Sequence, residues 1–222
     1  KMQRKRIAIL GSTGSIGRSA IDLIERLNGL ANPPRFEVVG LAANLSVDEL
    51  VAQVRRIRPL VASVGREDLA ARVREGIGDT PTRIVHGPEG LDEVATLPAA
   101  DLVLAGIVGA AGLAPTYAAV EKGKTVALAN KEALGMAGEL MISAARRSGA
   151  VLLPVDSEHN ALHQCLRGER AAEVRRLVLT ASGGPFLARP GTDLSSVTPE
   201  EALAHPTWVM GRKISIDSAT LM

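Results

Sequence analysis

The sequence predicts an α/β fold: a doubly wound, mostly parallel β-sheet, followed by a shorter α/β (α+β) region. Three observations lead to this prediction. Short apolar runs alternate with stretches of helical periodicity along most of the 222 residues. The first apolar run leads directly into a glycine-rich turn and then a helix. Aromatic residues make up only 2% of the chain, so the core must consist of Ala, Val, Leu and Ile, which suits strands buried on both faces.

The predicted elements alternate in a regular order. Seven strands are expected at residues 6–10, 36–43, 61–64, 82–86, 100–107, 125–129 and 151–155. Helices are expected after the first six strands, from residue 16 and at 47–57, 67–75, 89–95, 112–122 and 132–148. Strands that alternate with helices at this spacing predict a mostly parallel, doubly wound sheet with right-handed crossovers. Beyond it we expect short helices at 161–167 and from residue 199, and strands at 174–180 and 213–220.

Composition and charge exclude several classes of protein. The net charge is +2 and no long basic block with interleaved aromatic residues occurs, so nucleic-acid binding is not expected. No apolar run approaches the ~18–20 residues of a membrane span. The single cysteine, Cys165, excludes an internal disulfide framework and is expected to be buried. The basic N-terminus leads into a strand without the apolar region of a signal peptide, so a cytoplasmic protein is expected.

The glycine-rich turn at residues 11–17 is a candidate nucleotide-binding site. It reads G-x-x-G-x-x-G, a variant of the G-x-G-x-x-G pattern. Glycines at these positions allow a tight turn, close approach of a pyrophosphate and close packing of helix on strand. The following helix would offer its backbone N–H groups to phosphate. Such a turn can also be purely structural, but its place after the first strand favours a Rossmann-like nucleotide-binding domain over residues 1–153.

The end of the second predicted strand favours NADP over NAD. A site for NAD places an acidic residue there, which binds the ribose 2′-OH. Here the chain continues with Asn44, Leu45 and Ser46, and the first acid is Asp48. The missing negative charge leaves room for a 2′-phosphate. Asn44 and Ser46 can donate hydrogen bonds to it, although no Arg or Lys stands in this stretch.

Polar residues directly follow the sixth predicted strand. Asn130, Lys131 and Glu132 stand at the carboxyl edge of the sheet, where α/β proteins bind ligands. In a functional interpretation, Lys131 contacts a substrate while Asn130 or Glu132 lies near the cofactor. In the structural alternative, Asn130 caps the next helix. The local pattern leaves both interpretations open.

Two acidic residues follow the seventh predicted strand. Asp156 and Glu158 stand two residues apart, and in an extended chain their carboxylates would point the same way. Two hard oxygen ligands at the carboxyl end of a strand form half of a Mg²⁺ or Mn²⁺ site. The alternative is a helix start, with Asp156 or Ser157 as its cap and Glu158 in its first turn.

Two further polar segments lie in residues 154–222, the second predicted domain. Ser182 and the two glycines after it follow the predicted eighth strand, and they leave a hydroxyl and backbone N–H groups able to meet a phosphate. Trp208, the only tryptophan, follows His205 between prolines and glycines. That setting is as typical of a flap over a pocket as of a core anchor.

Five segments, in this order, resemble the 1-deoxy-D-xylulose 5-phosphate reductoisomerases of the non-mevalonate isoprenoid pathway. They are GSTGSIG (11–17), ALANKE (127–132), PVDSEHNA (154–161), ASGGPF (181–186) and HPTWVMGRKISIDSATLM (205–222). The resemblance spans the whole chain. It implies an NADP-dependent oxidoreductase that forms 2-C-methyl-D-erythritol 4-phosphate, using NADPH and a divalent cation (Mg²⁺, Mn²⁺ or Co²⁺). A C–C bond is broken and re-formed, and NADPH then reduces the resulting aldehyde.

The resemblance also implies a role for individual residues. Asp156 and Glu158 match the metal ligands and, with Lys131 and His205, the catalytic residues. The positions that match substrate contacts are Lys131, Ser157, Glu158, Ser182, His205, Ser218 and the flap residue Trp208. The positions that match cofactor contacts are Thr13, Gly14, Ser15, Ile16, Asn44, Leu45, Ser46, Asn130, Glu132 and Gly211. A basic residue is common in the family near the second-strand loop, where this chain has Leu45.

The last motif of the chain differs from the family pattern. In the family it continues into a run that supplies a third carboxylate ligand and two more phosphate contacts, followed by a helical domain. From the ending at Met222 we expect an incomplete catalytic domain over residues 154–222, weaker metal binding, and little or no activity of this chain alone. The family is usually dimeric. The alternatives are an inactive NADPH-binding fragment, or another NADP dehydrogenase, which would not need the two acids.

Overall fold

The computed structural model describes residues 4–30, 35–180, 183–189, 191–209, 211, 212 and 215. Seven strands form one sheet in the order β4-β3-β2-β1-β5-β6-β7, and every neighbouring pair is parallel. The strands are β1 (Lys5–Leu10), β2 (Phe36–Ala42), β3 (Val61–Val64), β4 (Arg83–His86), β5 (Leu102–Ala105), β6 (Thr125–Leu128) and β7 (Val151–Pro154). The predicted doubly wound parallel sheet is confirmed.

Helices connect the strands of this sheet. They are α1 (Ser15–Asn28), α2 (Val47–Ile57), α3 (Glu67–Ile77), α4 (Gly87–Thr96), α5 (Leu113–Glu121) and α6 (Glu132–Ser148). The chain runs outward from β1 to β4, then returns to place β5 on the other side of β1. The strand order therefore reverses between β1 and β5. The crevice at the carboxyl ends of these two strands is where open α/β sheets bind ligands.

The sheet is buried on both faces, as its composition predicts. Along β1, Ile7 and Ile9 belong to one core cluster, while Ala8 and Leu10 belong to the other. This alternation follows from the period of two residues in a strand. Helices cover each cluster with side chains at helical spacing. In α2 these are Val47, Leu50 and Val54, all buried.

A second compact unit begins after Asp156, three residues beyond the predicted domain boundary. It starts with α7 (Ser157–Leu166) and contains α8 (Pro199–Leu203). Three short 3₁₀ helices lie between them, at Ala171–Glu173, Gly184–Phe186 and Leu194–Ser196. The hydroxyl of Thr198 accepts from the backbone of Glu201, whose carboxylate accepts in return from the backbone of Thr198. This reciprocal cap explains why so short a helix begins there.

Two predictions for the second unit are wrong, and a third lies outside the described residues. The strand predicted at 174–180 is wrong, because these residues have no regular structure and no described strand pairs with them. Leu177, Val178 and Leu179 are left more than half exposed. Cys165 is exposed rather than buried. The strand predicted at 213–220 lies outside the described residues, apart from Ser215. Among the described residues, no helix is both long enough and apolar enough to cross a membrane.

Candidate functional site

The turn after β1 is held in a shape that only glycine permits. Gly11 has φ of +82°, and a Cβ added there would lie 2.9 Å from the carbonyl oxygen of Gly106. A Cβ at Gly17 would lie 2.3 Å from the carbonyl oxygen of Gly11. The turn therefore packs directly against the loop after β5 on one side and against the first turn of α1 on the other. Both contacts lie at the reversal point of the sheet.

The N-terminus of α1 is open to an anion. Its capping position is Gly14, which offers no side chain, and its first turn contains no acid. The first backbone N–H groups of a helix have no partner within the helix and carry partial positive charge. Thr13 and Ile16 are partly exposed, and Gly14 and Ser15 are exposed. The geometry suits the pyrophosphate of a dinucleotide, as the glycine pattern predicts.

The loop after β2 presents three exposed neutral residues. Asn44, Leu45 and Ser46 are all exposed, and no carboxylate precedes Asp48. The backbone of the loop is held by the turn after β3, because the N–H of Gly65 donates to the carbonyl oxygen of Asn44 at 2.9 Å. The loop is thus positioned beside the crevice, with no negative charge in it to repel a phosphate.

Asn130 is buried and joins two loops. Its Nδ2 donates to the carbonyl oxygen of Gly109 at 2.9 Å, and its Oδ1 accepts from the N–H of Ala133 at 3.2 Å. The second bond is the capping interaction that the structural alternative predicts. A Cβ at Gly112 would lie 2.3 Å from Nδ2, so glycine is required there. Asn130 thereby ties the loop after β5 to the start of α6. Glu132 is the first residue of that helix and is partly buried.

Lys131 and Asp156 form an ion pair at the carboxyl ends of β6 and β7. Lys131 Nζ lies 3.2 Å from Asp156 Oδ2. The two strands are neighbours, so the residues that follow them meet although they are far apart in the chain. The structure thus brings together a predicted substrate-binding cation and a predicted metal ligand.

The geometry predicted for Asp156 and Glu158 is wrong. Strand β7 ends at Pro154, and Glu158 lies in the first turn of α7, so the two carboxylates do not share one face of an extended strand. A first-turn acid is what the helix-start alternative predicts. The hydroxyl of Ser157 donates to Glu158 Oε2 at 2.7 Å. Within the described part of the chain, no three His, Cys, Asp or Glu side chains cluster as a metal site would require.

His205 organises the segment that carries Trp208. Its Nδ1 accepts from the backbone N–H groups of Thr207 at 3.1 Å and Trp208 at 3.0 Å. Because Nδ1 is the acceptor of these bonds, Nε2 is the ring nitrogen left to act as a donor. Trp208 is 58% exposed, so it is not a core anchor within its own unit. Gly211 is also exposed, while Ser182 and Ser218 lie outside the described residues.

Two contributors to the site are missing from the sequence predictions. The loop that contains Gly106 packs against the glycine-rich turn. The N–H of Gly106 donates to the carbonyl oxygen of Leu10 at 2.9 Å. The signal for this loop is the set of three glycines, Gly106, Gly109 and Gly112, after the fifth strand. Gln53, buried in α2, donates from Nε2 to the carbonyl oxygen of Ser12 at 3.0 Å. A lone polar residue on the apolar face of a helix is its only signal.

Two family models match the chain. One, described as 1-deoxy-D-xylulose 5-phosphate reductoisomerase, matches residues 7–138. The other, described as the C-terminal domain of that enzyme, matches residues 152–222. Together they account for most of the chain.

Curated relatives and solved structures agree with these models. The 1-deoxy-D-xylulose 5-phosphate reductoisomerase of Methylococcus capsulatus is 54% identical over 98% of this chain and 56% of its own length. That of Pseudomonas putida is 53% identical, with the same two coverages. Two solved structures superpose with TM-scores of 0.85. One, a complex with NADPH, fosmidomycin and magnesium, is 41% identical over 98% of this chain and 55% of its own. The other, from Zymomonas mobilis with NADPH, is 45% identical over 99% and 55%. The chain thus spans a little over half the length of these relatives.

Proposed function

Because this chain belongs to the 1-deoxy-D-xylulose 5-phosphate reductoisomerase family, we propose that it carries the cofactor site and part of the catalytic site of that enzyme. The reaction is the rearrangement of 1-deoxy-D-xylulose 5-phosphate, followed by hydride reduction to 2-C-methyl-D-erythritol 4-phosphate. One observation carries the proposal: the uncapped start of α1 and the Lys131–Asp156 pair both lie at the carboxyl edge of the same sheet. A hydride donor and a charged reaction centre need such neighbouring positions.

The proposed cofactor is NADPH, held by the two loops at the reversal point of the sheet. The open N-terminus of α1 supports pyrophosphate binding by the residues from Thr13 to Ile16. The absence of an acid in the loop after β2 supports a 2′-phosphate beside the residues from Asn44 to Ser46. Asn130 positions the loops, and Glu132 and Gly211 are proposed as further contacts on the basis of the family motifs.

The proposed metal ligands are Asp156 and Glu158. Their carboxylates are hard oxygen donors, which fits Mg²⁺, Mn²⁺ or Co²⁺. Such an ion, when bound, would stabilise negative charge that develops on the substrate oxygens. Asp156 is already oriented by Lys131, and Glu158 by the hydroxyl of Ser157. Further ligands are needed, since Mg²⁺ demands close to six oxygens.

The proposed substrate contacts rest on the family motifs and on the chemistry of the individual side chains. The ammonium of Lys131 suits an anionic oxygen of a sugar phosphate, and the Nε2–H of His205 is a hydrogen-bond donor fixed in direction by the two bonds to Nδ1. The exposed ring of Trp208 supports a role in covering the substrate. The remaining proposed contacts are Ser157, Ser182 and Ser218.

A second candidate function is NADPH binding without turnover by this 222-residue chain. Two observations favour it: the chain spans 56% of its curated relative's length, and no described cluster of three metal-binding side chains occurs. We further propose a cytoplasmic location, where NADPH and sugar phosphates are held, and a homodimer, as is usual in the family. Light scattering of the purified chain tests the dimer.

The experiment that separates the two functions is NADPH oxidation by the purified chain. Absorbance is followed with 1-deoxy-D-xylulose 5-phosphate, with and without Mn²⁺. Metal-dependent oxidation that disappears in Asp156→Asn supports the reductoisomerase. NADPH binding without oxidation supports the second candidate. Metal-dependent oxidation that Asp156→Asn leaves unchanged would refute the metal role proposed for this residue.

A further inference from the structure

The loop that would receive a 2′-phosphate has no cation of its own. Leu45, at its centre, is 61% exposed, and its neighbours Asn44 and Ser46 are neutral. Recognition of a 2′-phosphate ordinarily uses an arginine placed near the end of the second strand. The positive charge must therefore come from a neighbouring element.

The element in contact with this loop is the turn after β3. Strand β3 lies directly beside β2, so the two carboxyl ends are adjacent. The N–H of Gly65 donates to the carbonyl oxygen of Asn44 at 2.9 Å. A Cβ at Gly65 would lie 2.1 Å from Asn44 Oδ1, so no side chain can separate the two loops. The next residue in the chain is Arg66.

One edge of the Arg66 guanidinium is hydrogen-bonded to Asp68, and the other edge is available to a ligand. Its Nε donates to Asp68 Oδ1 at 2.9 Å, and its Nη2 donates to Asp68 Oδ2 at 2.8 Å. These bonds lower the pKa of Asp68 to about 2, so the carboxylate stays ionised at neutral pH. A guanidinium has five N–H donors. The structure gives Nη1 no acceptor within the described part of the chain, and the Arg66 side chain is 60% exposed.

We propose that Arg66 is a specificity-determining residue that binds the 2′-phosphate of NADPH, with Asp68 orienting its guanidinium. This inference rests on the proposed cofactor and names the residue that distinguishes NADPH from NADH in this chain. A planar guanidinium with a free edge matches phosphate in shape as well as charge. Asp68 offsets part of the positive charge of Arg66, but its two hydrogen bonds fix the direction of the free edge of the guanidinium.

Arg18 is the alternative cation and provides a matched control. It too is exposed and pairs with a carboxylate through Nε and Nη2, in this case with Glu49. It lies on α1, however, and its partner lies on α2 beyond the loop. In the described part of the chain, the side chains of Arg18 and Glu49 form no hydrogen bond with the segment from Asn44 to Ser46. Arg66 is the cation tied to that segment through the backbone of its immediate neighbour.

Binding of NADPH and NADH by isothermal titration tests the inference. The variants are Arg66→Ala, Arg18→Ala, and Arg66→Ala combined with Leu45→Arg, each checked by circular dichroism. We expect Arg66→Ala to weaken NADPH binding by roughly tenfold or more, as for loss of a hydrogen bond to a charged group. We expect NADH binding to change less than about twofold, because NADH lacks the 2′-phosphate. Leu45→Arg should restore most of the lost NADPH affinity.

Each outcome has a distinct meaning. Unchanged NADPH affinity in a folded Arg66→Ala variant contradicts the inference and leaves the proposed function intact. An equal loss for NADPH and NADH also contradicts it, since the residue would then act on the fold rather than on the phosphate. A loss in Arg18→Ala alone assigns the role to the alternative cation. If the unaltered chain binds neither nucleotide, the proposed function itself fails and this inference fails with it.

Discussion

Lys131 Nζ lies 3.2 Å from Asp156 Oδ2, and their side chains are only 21% and 17% exposed. A pair so shielded from water interacts more strongly than a surface pair, because less solvent screens the charges. The pair also locks together the loops after β6 and β7. Each partner has a second proposed role, Asp156 toward a metal ion and Lys131 toward substrate. A proposed ligand of either residue would therefore have to compete with the ion pair.

Loss of the lysine charge is expected to destabilise the fold. In Lys131→Met, Asp156 loses this cation while remaining largely buried, which should cost about 1–3 kcal/mol of unfolding free energy. Urea unfolding of Lys131→Met, Asp156→Asn and the double variant completes a double-mutant cycle. A coupling energy near zero would show that the two charges do not stabilise one another.

Metal binding should respond in opposite directions to changes at the two residues. Asp156→Asn removes a carboxylate ligand, so Mn²⁺ affinity should fall. Lys131→Met removes the ammonium that competes with the ion for that carboxylate, so Mn²⁺ affinity should rise. Electron paramagnetic resonance of free Mn²⁺ measures both affinities without any turnover. Equal Mn²⁺ affinity in all three proteins would place the metal elsewhere.

Because α1 packs tightly on the glycine-rich turn, adding even one methyl group between them is expected to destabilise the fold. In Gly17→Ala, Cβ would meet the backbone oxygen of Gly11, which cannot move aside as a flexible side chain can. Unfolding free energy should fall by about 1–3 kcal/mol. Gly135→Ala is the matched control, since α6 is helical there and nothing lies near the added Cβ. That variant should be neutral or more stable by up to about 1 kcal/mol. Equal stability of both variants would contradict the packing described for α1.

The carboxylate of Asp101 makes the stability of the first unit depend on pH. Hydrogen bonds from Arg6, first of all from its side chain, hold the pKa of Asp101 below its usual range. A carboxyl group whose folded pKa is lowered adds stability above its unfolded pKa of about 3.9, and that stability disappears as pH falls through the folded value.

Comparison of the unaltered chain with Asp101→Asn tests this dependence. At pH 7 the variant should melt lower by at most roughly 2–4 °C, because the pair is partly exposed and screened by solvent. The difference should shrink as pH falls below about 4. A difference that persists unchanged at pH 3 would mean that the charge of Asp101 is not its cause.

The first seven strands are predictable from the sequence because each is an apolar run closed by a glycine or polar turn. The same pattern places Lys131 and Asp156 after the sixth and seventh strands, whereas the pairing of those two strands is found only in the structure. The segment 174–180 has the same apolar pattern but is not a strand. A strand exists only where another strand accepts its hydrogen bonds, and local pattern does not specify that partner. Nor does periodicity reveal that Ser157 starts a helix, which moves Glu158 off the strand face predicted for it.

The contacts that shape the candidate site are harder to predict than the strands. Gly106 and Gln53 act on the glycine-rich turn through backbone atoms, with Gln53 bonded to the carbonyl oxygen of Ser12. Backbone contacts between distant loops depend on the registers of β1, β2 and β5, and those are settled only when the sheet forms. The residue types predict a turn, whereas the contacts around that turn depend on the tertiary fold.

The most direct test of the proposed cofactor site is NADPH binding by this chain and by Gly14→Val. Gly14 has φ of −80° and ψ of 170°, which valine adopts readily, and the site is exposed. An added Cβ would lie 3.3 Å from the carbonyl oxygen of Gly11, so a small shift is needed, and circular dichroism checks that the variant folds while its side chain blocks the N-terminus of α1. Gly29→Ala, at the other end of the same helix, is the control. We predict saturable one-to-one binding by the unaltered chain and the control, and binding weakened at least tenfold, by about 1.4 kcal/mol, in Gly14→Val. Equal NADPH affinity in all three proteins would contradict the assignment of the cofactor to this turn.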